Sequence, residues 1–349
     1  MKNKEILLVG SYSFGGIASV INSFLESKLG EDVIFKPSYI QTSTLKNWVR
    51  FFFFIFDYIF ILLSNKNIKI VHILSAEKGS FLRKSILLTI AKIFGKKTII
   101  NFHSCDPNIF YKDKIFPFNL FIKNILNSAD LILVLSTQWK KIIQDKCTNS
   151  NIKVLYNPVK LKELNPKPVS ENVNVLFMGI MGKRKGAYDI IEAAKSIKNK
   201  NIKIIMHGNG EVNEIRELVK KYNLESIIEV DGWIKGDAVE KAYRNADFMI
   251  LPSYDEGLPM TILEAMSYGM PVISTTVGGI PDMIENGVNG YMLTPGHNQV
   301  LAEKIDFLAE NSELRKNMGE KSYEIFKEKF DINIIVKNLQ TYYEKLINQ

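Results

Sequence analysis

The chain has 349 residues, of which 46% are hydrophobic and 23% charged, and its formal net charge at pH 7 is +8. This length favours two domains over a single core, and the composition excludes a disordered or fibrous chain. The two cysteines, Cys105 and Cys147, form neither a disulfide framework nor a metal-ligand spacing. The first residues lack a signal-peptide layout, so we expect a cytoplasmic protein.

The charge is distributed unevenly along the chain. Residues 1–170 carry 24 basic and 11 acidic side chains, a net charge of +13, whereas residues 171–349 carry 21 and 26, a net charge of −5. This asymmetry favours an anionic partner for the first half. No zinc finger, arginine-rich arm or aromatic-basic interleaving indicates nucleic acid. An anionic membrane surface is therefore expected, and a merely solvated lysine surface is the alternative.

Strand-like runs alternate with helical patterns in the first half, which predicts βαβ units and a parallel sheet. The strands are expected at Glu5–Gly10, Asp32–Lys36, Lys69–Leu74, Thr98–His103, Leu131–Leu135 and Lys153–Leu155. The apolar segment "WVRFFFFIFDYIFILLS", 48–64, is interrupted by Arg50 and Asp57, so it is too short to span a bilayer. We expect a helix buried on most faces, and the alternative is a helix lying partly in the membrane interface.

Two motifs of the first half can serve a ligand. Gly15 and Gly16, in "GSYSFGGIASVI", allow close backbone approach at a helix start, although neither G-x-G-x-x-G nor a Walker loop is present. His103 ends a strand in "TIINFHSCD" and can bind a ligand or move a proton. An ordinary turn and a structural histidine are the alternatives.

The second half repeats the same alternation after a proline-containing segment, residues 157–172, which we interpret as a linker. Its strands are expected at Val173–Met178, Ile202–His207, Ile227–Val230, Phe248–Leu251, Pro271–Ser274 and Tyr291–Leu293. We predict an α/β protein with two Rossmann-like domains, residues 1–160 and 173–332, and a ligand cleft between them. The last helix, residues 333–349, is expected to pack back on the first domain.

Cations and glycines follow the strands of the second half. Lys183, Arg184 and Lys185 precede a helix that opens near Gly186, a setting suited to a diphosphate. Gly208, in "HGNGE", and the segment "GWI" at 232–234 offer backbone groups to a base or a phosphate. A solvated basic loop and ordinary turns are the alternatives.

The stretch "DEGLPMTILEAMSYGMPVIS", 255–274, places Glu256 and Glu264 on either side of a turn that leads into a helix. Each carboxylate can accept from a vicinal diol, so the pair suits the sugar and the ribose of one nucleotide sugar. Pro259 is expected in the first helical turn, and amides near it form an anion site; they are those of Gly257, Leu258, Met260 and Thr261. The chain contains no Asp-x-Asp, so neither a metal nor another cofactor is expected.

Together these stretches resemble family 4 of the retaining glycosyltransferases, which have the GT-B fold. The resemblance is densest from Val173 to Pro295, through "HGNGE", "PSYDEGLPMTILEAMSYGMPVIST", "VGGIPDMI" and "NGYMLTPG". It implies a nucleotide-sugar donor and retention without a metal, the donor phosphate taking the acceptor's proton. The implied contacts are Glu256 with the donor sugar, Glu264 with the ribose, Lys185 and the amides of Leu258 and Met260 with the diphosphate, Gly16 with the phosphates and His103 with the reacting sugar.

One position departs from the family pattern. The family has an arginine soon after the glycine that corresponds to Gly179, but Ile180 stands here, and Lys183 or Arg184 could replace the missing cation. We expect a retaining transferase acting on a lipid-linked saccharide at the inner face of the cell membrane, in the synthesis of a capsule, an exopolysaccharide or a related polymer. The alternatives are a nucleotide-sugar epimerase of the same fold and a non-catalytic, donor-binding partner subunit.

Overall fold

The computed structural model describes residues 5–11, 16–39, 44–76, 79–103, 117–164 and 172–349. The chain divides into two compact units. The first unit comprises Met1–Pro158 together with Ile332–Gln349, and the second comprises Val159–Asp331. Each unit is an α/β domain built around its own parallel sheet.

The sheet of the first unit has six parallel strands in the order β2-β1-β3-β4-β5-β6. They are β1 (Ile6–Ser11), β2 (Val33–Tyr39), β3 (Ile70–Ser75), β4 (Lys97–Phe102), β5 (Leu131–Val134) and β6 (Ile152–Val154). Between them lie α1 (Gly16–Glu26), a 3₁₀ turn (Lys28–Glu31), α2 (Thr44–Ser64), α3 (Gly79–Ile93), α4 (Phe118–Ser128) and α5 (Thr137–Gln144). The central strands are buried along their whole length because helices cover a parallel sheet on both faces.

The second unit repeats this layout with the strand order β12-β11-β10-β7-β8-β9. The strands are β7 (Val173–Met178), β8 (Ile202–His207), β9 (Ile228–Gly232), β10 (Phe248–Leu251), β11 (Val272–Thr275) and β12 (Gly290–Leu293). The helices are α6 (Ala187–Ala194), α7 (Val212–Lys221), α8 (Asp237–Asn245), α9 (Met260–Ser267), α10 (Ile280–Met283), α11 (Asn298–Glu310) and α12 (Ser312–Lys329). The predicted α/β class with two parallel sheets is confirmed.

The chain passes twice between the units. Val159 pairs with Asp331, and the Leu161 amide donates to a carboxylate oxygen of Asp331 at 3.2 Å. Residues 159–164, part of the predicted linker, therefore group with the second unit. After Asp331 the chain returns to the first unit as α13 (Ile332–Ile347), which contacts β3 and the 3₁₀ turn.

Helix α2 differs from its prediction. Its buried side chains, Phe51, Phe54, Tyr58, Ile61 and Leu62, lie on one side of the helix. Four phenylalanines on the other side, Phe52, Phe53, Phe56 and Phe60, are between 57% and 70% exposed. The prediction of burial on most faces is therefore wrong. Among the described residues, the stretch Lys46–Ser64 is the one helix long and apolar enough to cross a membrane, with a mean hydropathy of 1.5, and 28% of it is buried.

Two histidines lie in the first unit: His72 is fully buried on β3, and His103, directly after β4, is half-buried with a buried Nε2. The His72 Nδ1 is 2.7 Å from the Tyr343 hydroxyl oxygen. Burial, and to a smaller extent the nearby His103, lower the pKa of His72 to about 3. Burial also lowers the pKa of His103 to about 4. Both imidazoles are therefore neutral in the folded protein at pH 7.

These two pKa values predict that the protein loses stability in acid. Between pH 6.5 and about pH 4 the unfolded chain binds protons at both histidines that the folded chain does not, so the free energy of unfolding falls as pH falls. Each unit of difference between the pKa values of the folded and the unfolded chain corresponds to about 1.4 kcal/mol in the free energy of unfolding. Urea unfolding at several pH values measures this slope. His72→Gln should flatten the slope, whereas His297→Gln, at an exposed position, should keep it; an unchanged slope in His72→Gln would contradict the assignment.

Candidate functional site

The carboxyl ends of β7, β8 and β9 are joined by backbone hydrogen bonds. The Gly179 amide donates to the His207 carbonyl at 3.0 Å, and the Gly208 amide donates to the Gly232 carbonyl at 2.7 Å. Gly208 has a φ of +154°, and a Cβ there would lie 1.7 Å from the Gly179 carbonyl oxygen. Only glycine fits at this position, so the "HGNGE" segment keeps its backbone close to the loop that follows β7.

The three cations after β7 form a 3₁₀ turn, Lys183–Lys185, which ends at Gly186 in the left-handed conformation with a φ of +72°. Backbone and side-chain bonds attach this turn to the loop that follows β10. The Tyr254 amide donates to the Arg184 carbonyl at 2.9 Å, and Arg184 Nη1 donates to the Asp255 carbonyl at 3.2 Å. The first two side chains of the turn are exposed and the third is half-buried.

Glu256 is held by a cation and a hydroxyl. Its Oε1 accepts from Lys185 Nζ at 2.5 Å and from Ser253 Oγ at 2.8 Å. The residue is 4% exposed, so the ion pair is largely desolvated and depends on good geometry. The structure thus brings together Lys185 and Glu256, both predicted as site residues. Ser253 was missed, although it lies in the same "PSYDEG" segment.

The loop after Glu256 is fixed by a second glycine contact. The Gly279 amide donates to the Gly257 carbonyl at 2.7 Å. Gly278 has a φ of +59°, and a Cβ there would lie 1.7 Å from the Glu256 carbonyl oxygen. The backbone of Glu256 and of Gly257 therefore packs against the loop that follows β11.

Helix α9 begins at Met260, one residue later than expected. Pro259 is the N-cap residue, with extended backbone angles, so the prediction that it lies inside the first helical turn is wrong. Its φ of −67° and ψ of 118° suit the residue before a helix, because proline fixes φ but leaves ψ free to be extended. Leu258 is buried just before this helix start.

Glu264 lies on α9 and already has a partner. Its Oε2 accepts from the Tyr243 hydroxyl at 2.6 Å. Burial raises the pKa of the Glu264 carboxyl, while this hydrogen bond and the charge of Lys162 act against the rise. Thr261 Oγ1, one turn earlier, is buried with no hydrogen-bond partner among the described residues. Sequence reasoning missed Tyr243, because it lies on α8 and no motif connects it to α9.

The predicted residues of the first unit lie at two separate loops. Gly16 is the first residue of α1 and is exposed, whereas Gly15 lies outside the described residues. His103 directly follows β4, and its amide donates to the Ser75 carbonyl at 2.8 Å. The His103 Nε2 is buried with no partner within the described part of the chain. Being neutral at pH 7, this imidazole can accept or donate a hydrogen bond but cannot supply a positive charge.

The described ranges contain no cluster of side chains suited to a metal ion. No group of three or more His, Cys, Asp or Glu side chains there could hold a metal ion. The cations of the turn Lys183–Lys185 and the amides at the start of α9 are positive groups in the loops that follow β7 and β10. Independence from a metal stays a prediction.

Comparisons with known proteins concern both units. Residues 162–325 match the family model for glycosyl transferases group 1. An uncharacterised glycosyltransferase of Methanocaldococcus jannaschii is 35% identical over 227 residues, which cover 65% of this chain and 62% of that protein. The capsular polysaccharide biosynthesis glycosyltransferase CapM of Staphylococcus aureus is 29% identical over 198 residues, 54% of this chain and 50% of that protein. The chain thus spans less than two thirds of the length of these relatives.

A solved structure resembles the chain over almost its full length. It is HepE of Anabaena in complex with UDP, with a TM-score of 0.79 and 17% identity, covering 98% of this chain and 100% of that one. This likeness concerns the fold, and it confirms the predicted GT-B class. The family match lies within the second unit, which carries the Lys185–Glu256 pair. Through this unit the chain is similar to the group 1 glycosyl transferases.

Proposed function

We propose that the protein is a retaining, metal-independent glycosyltransferase that moves a sugar from a nucleotide-sugar donor to a lipid-linked saccharide acceptor. The observation that carries this proposal is the buried Lys185–Glu256 pair beside Arg184, at the carboxyl end of the second sheet. A carboxylate next to cations suits a sugar attached to a diphosphate. The name of CapM and the UDP bound to HepE support a role in cell-surface polysaccharide synthesis and a nucleotide donor.

The proposed chemistry assigns each polar group one task. Glu256 accepts from hydroxyls of the donor sugar, and Glu264 accepts from the ribose. When the bond from the sugar to the diphosphate breaks, charge builds on the leaving phosphate, and Lys185 stabilises it from a fixed position. The same phosphate takes the proton of the acceptor hydroxyl while the new glycosidic bond forms on the face that the diphosphate leaves.

Arg184 is the proposed substitute for the arginine that the family has in place of Ile180. Its bond to the Asp255 carbonyl keeps the guanidinium on the loop that carries Glu256. A guanidinium can form two parallel hydrogen bonds with phosphate oxygens, which the ammonium of Lys183 cannot. Arg184 is therefore the better replacement of the two.

The acceptor and the location follow from charge. Residues 1–170, which make up most of the first unit, carry a net charge of +13, and a cationic surface attracts the anionic leaflet in which lipid-linked saccharides lie. We propose that the protein works as a peripheral protein at the cytoplasmic face of the cell membrane. This part of the proposal rests on charge alone and is separable from the donor chemistry.

Ile180 supports a second candidate function. Its side chain is 52% exposed where the family has a cation, so the protein can be a donor-binding partner of another transferase without turnover. Labelled UDP-sugars and GDP-sugars, incubated with the protein and membrane lipid, distinguish the two. Label that moves to the lipid fraction supports the transferase. Nucleotide binding without transfer supports the partner subunit, and a product isomer formed without lipid indicates an epimerase.

Glu264→Gln should weaken binding of a nucleoside diphosphate. The ribose would lose a charged acceptor, which costs about 1.5–3 kcal/mol, or roughly 10- to 150-fold in Kd. Tyr243→Phe should weaken binding less, because it removes only the hydroxyl that holds Oε2. Isothermal titration calorimetry with UDP and GDP measures both variants. Tyr342→Phe, on α13, is the control. Equal affinity in wild type and Glu264→Gln would remove the ribose assignment.

Lys185→Ala should lower turnover by about 10²–10³, the usual cost of losing one preorganised electrostatic donor. Because this change leaves Glu256 buried without its cation, thermal melting must accompany the kinetics. Arg184→Ala should cost at least about tenfold, and Ile180→Arg in that background should recover part of the loss. Lys183→Ala should cost less than Arg184→Ala. The control is Lys220→Ala, on the exposed side of α7. Full activity in both Arg184→Ala and Lys183→Ala would show that no local cation replaces the arginine.

A further inference from the structure

The outer side of α2 is a continuous apolar surface. Its side chains recur every three or four residues, as on one side of a helix, and each is exposed: Val49, Phe52, Phe53, Phe56, Phe60 and Leu63. We call these six residues the aromatic face of α2. An exposed patch of this kind on a folded chain marks an interaction surface, since exposed apolar residues are ordinarily scattered.

The inner side of α2 fixes this face in position. Phe51, Phe54 and Tyr58 belong to the buried core of the first unit. The Tyr58 hydroxyl also donates to the Leu87 carbonyl of α3 at 3.1 Å. Helix α2 is therefore an integral layer of the domain, and its aromatic face cannot turn inward without the loss of that packing.

The neighbouring helix also exposes apolar side chains. Right-handed crossovers place α2 and α3 on the same side of the sheet, and the bond from Tyr58 to Leu87 joins them. The exposed residues of α3 include Ile86 and Ile93, seven positions apart and thus on one side of that helix. Two adjacent helices consequently contribute apolar side chains to the outer layer of the first unit.

Both ends of α2 are cationic. Lys46 and Arg50 are exposed in its first two turns, and Lys66 is exposed just after its last residue. Asp57 is the one acidic residue in the sequence of the helix. Trp48 lies beside the aromatic face with the Arg83 guanidinium 5.3 Å from its ring centre. Apolar side chains on one side with cations and a tryptophan at the border are the features of a helix that lies in a membrane interface.

These charges also argue against a second copy of the chain as the occupant. If two α2 helices packed on each other in either direction, a cationic end would meet a cationic end. An anionic leaflet offers the opposite charge at both ends and an apolar layer between them. The charge pattern therefore favours lipid.

We infer that the aromatic face of α2 inserts into the boundary between headgroups and acyl chains of an anionic membrane, with the helix parallel to the surface. Insertion of phenylalanine rings differs from the electrostatic attraction of lysines to the membrane. Salt screens the attraction of the lysines, but it does not screen the insertion of the rings. This inference does not depend on the transferase reaction. It requires only the exposed face and the fold that supports it.

Vesicle sedimentation with the full chain tests the inference. The vesicles are phosphatidylcholine alone or with phosphatidylglycerol, at 0.1 M and 1 M salt, where the Debye length is about 10 Å and about 3 Å. The wild type should bind anionic vesicles at both salt concentrations. The triple variant Phe53→Gln, Phe56→Gln, Phe60→Gln should bind at least about 100-fold more weakly at both, because three partly exposed rings no longer enter the bilayer.

Two further variants separate the contributions. Lys46→Gln with Arg50→Gln and Lys66→Gln should weaken binding only at low salt. Phe307→Gln, at an exposed position of the second unit, should leave vesicle binding unchanged. Thermal melting should show all variants folded, because every altered side chain is exposed. Titration with UDP should give the wild-type affinity in the phenylalanine variant, so membrane binding and donor binding can fail independently.

Three results would overturn the inference. One is vesicle binding by the phenylalanine variant that is as strong as that of the wild type. Another is binding that disappears for the wild type at 1 M salt, which would leave lysines as the sole attachment. The third is a wild-type protein that does not bind vesicles but forms a dimer in analytical ultracentrifugation, while the phenylalanine variant is a monomer. That result would assign the aromatic face to a second copy of the chain.

Discussion

The contact between Lys185 and Glu256 joins two loops of the second unit that the chain places far apart. One loop follows β7 and the other follows β10, and these strands are neighbours in the sheet. The same two loops are joined by the bond from Arg184 to the Asp255 carbonyl, and Glu256 also accepts from the Ser253 hydroxyl. Since a buried charge without its partner is costly, this arrangement holds only while both loops keep their positions.

Glycines allow the loops to take those positions. At Gly208 and Gly278 a Cβ would collide with a carbonyl oxygen of an adjacent loop, that of Gly179 in the first case and of Glu256 in the second. The result is a set of strand ends in which backbone packs directly on backbone. Polar side chains can then lie close together at one edge of the sheet, because the glycines have no side chains that would displace them.

The two glutamates occupy different surroundings although they belong to one sequence motif. Glu256 is paired with an ammonium group, whereas Glu264 accepts a hydrogen bond from the buried Tyr243 hydroxyl. Burial raises the pKa of the Glu264 carboxyl. In the proposed function, the charged partner suits Glu256 as a group that works beside a phosphate, and the neutral phenol suits Glu264 as one that accepts from a ribose diol.

Much of the architecture could be predicted from the sequence. Near-continuous apolar runs separated by helical patterns determined two parallel sheets, because strands buried on both faces need apolar residues at every position. The motif at 255–274 indicated Glu256 as a site residue because carboxylate, turn and helix start are consecutive in the chain.

Contacts between distant segments were decided only by the tertiary structure. The bond between Tyr243 and Glu264 joins two helices, and the bond between Arg184 and Asp255 joins two loops, so neither has a local signal. The sequence also could not predict the exposure of Phe52, Phe53, Phe56 and Phe60, because a run of apolar residues does not show which side of its helix meets the sheet. Local patterns thus determined the elements and the motif, whereas the partners of each charge and the free side of α2 depended on how the sheet brought those elements together.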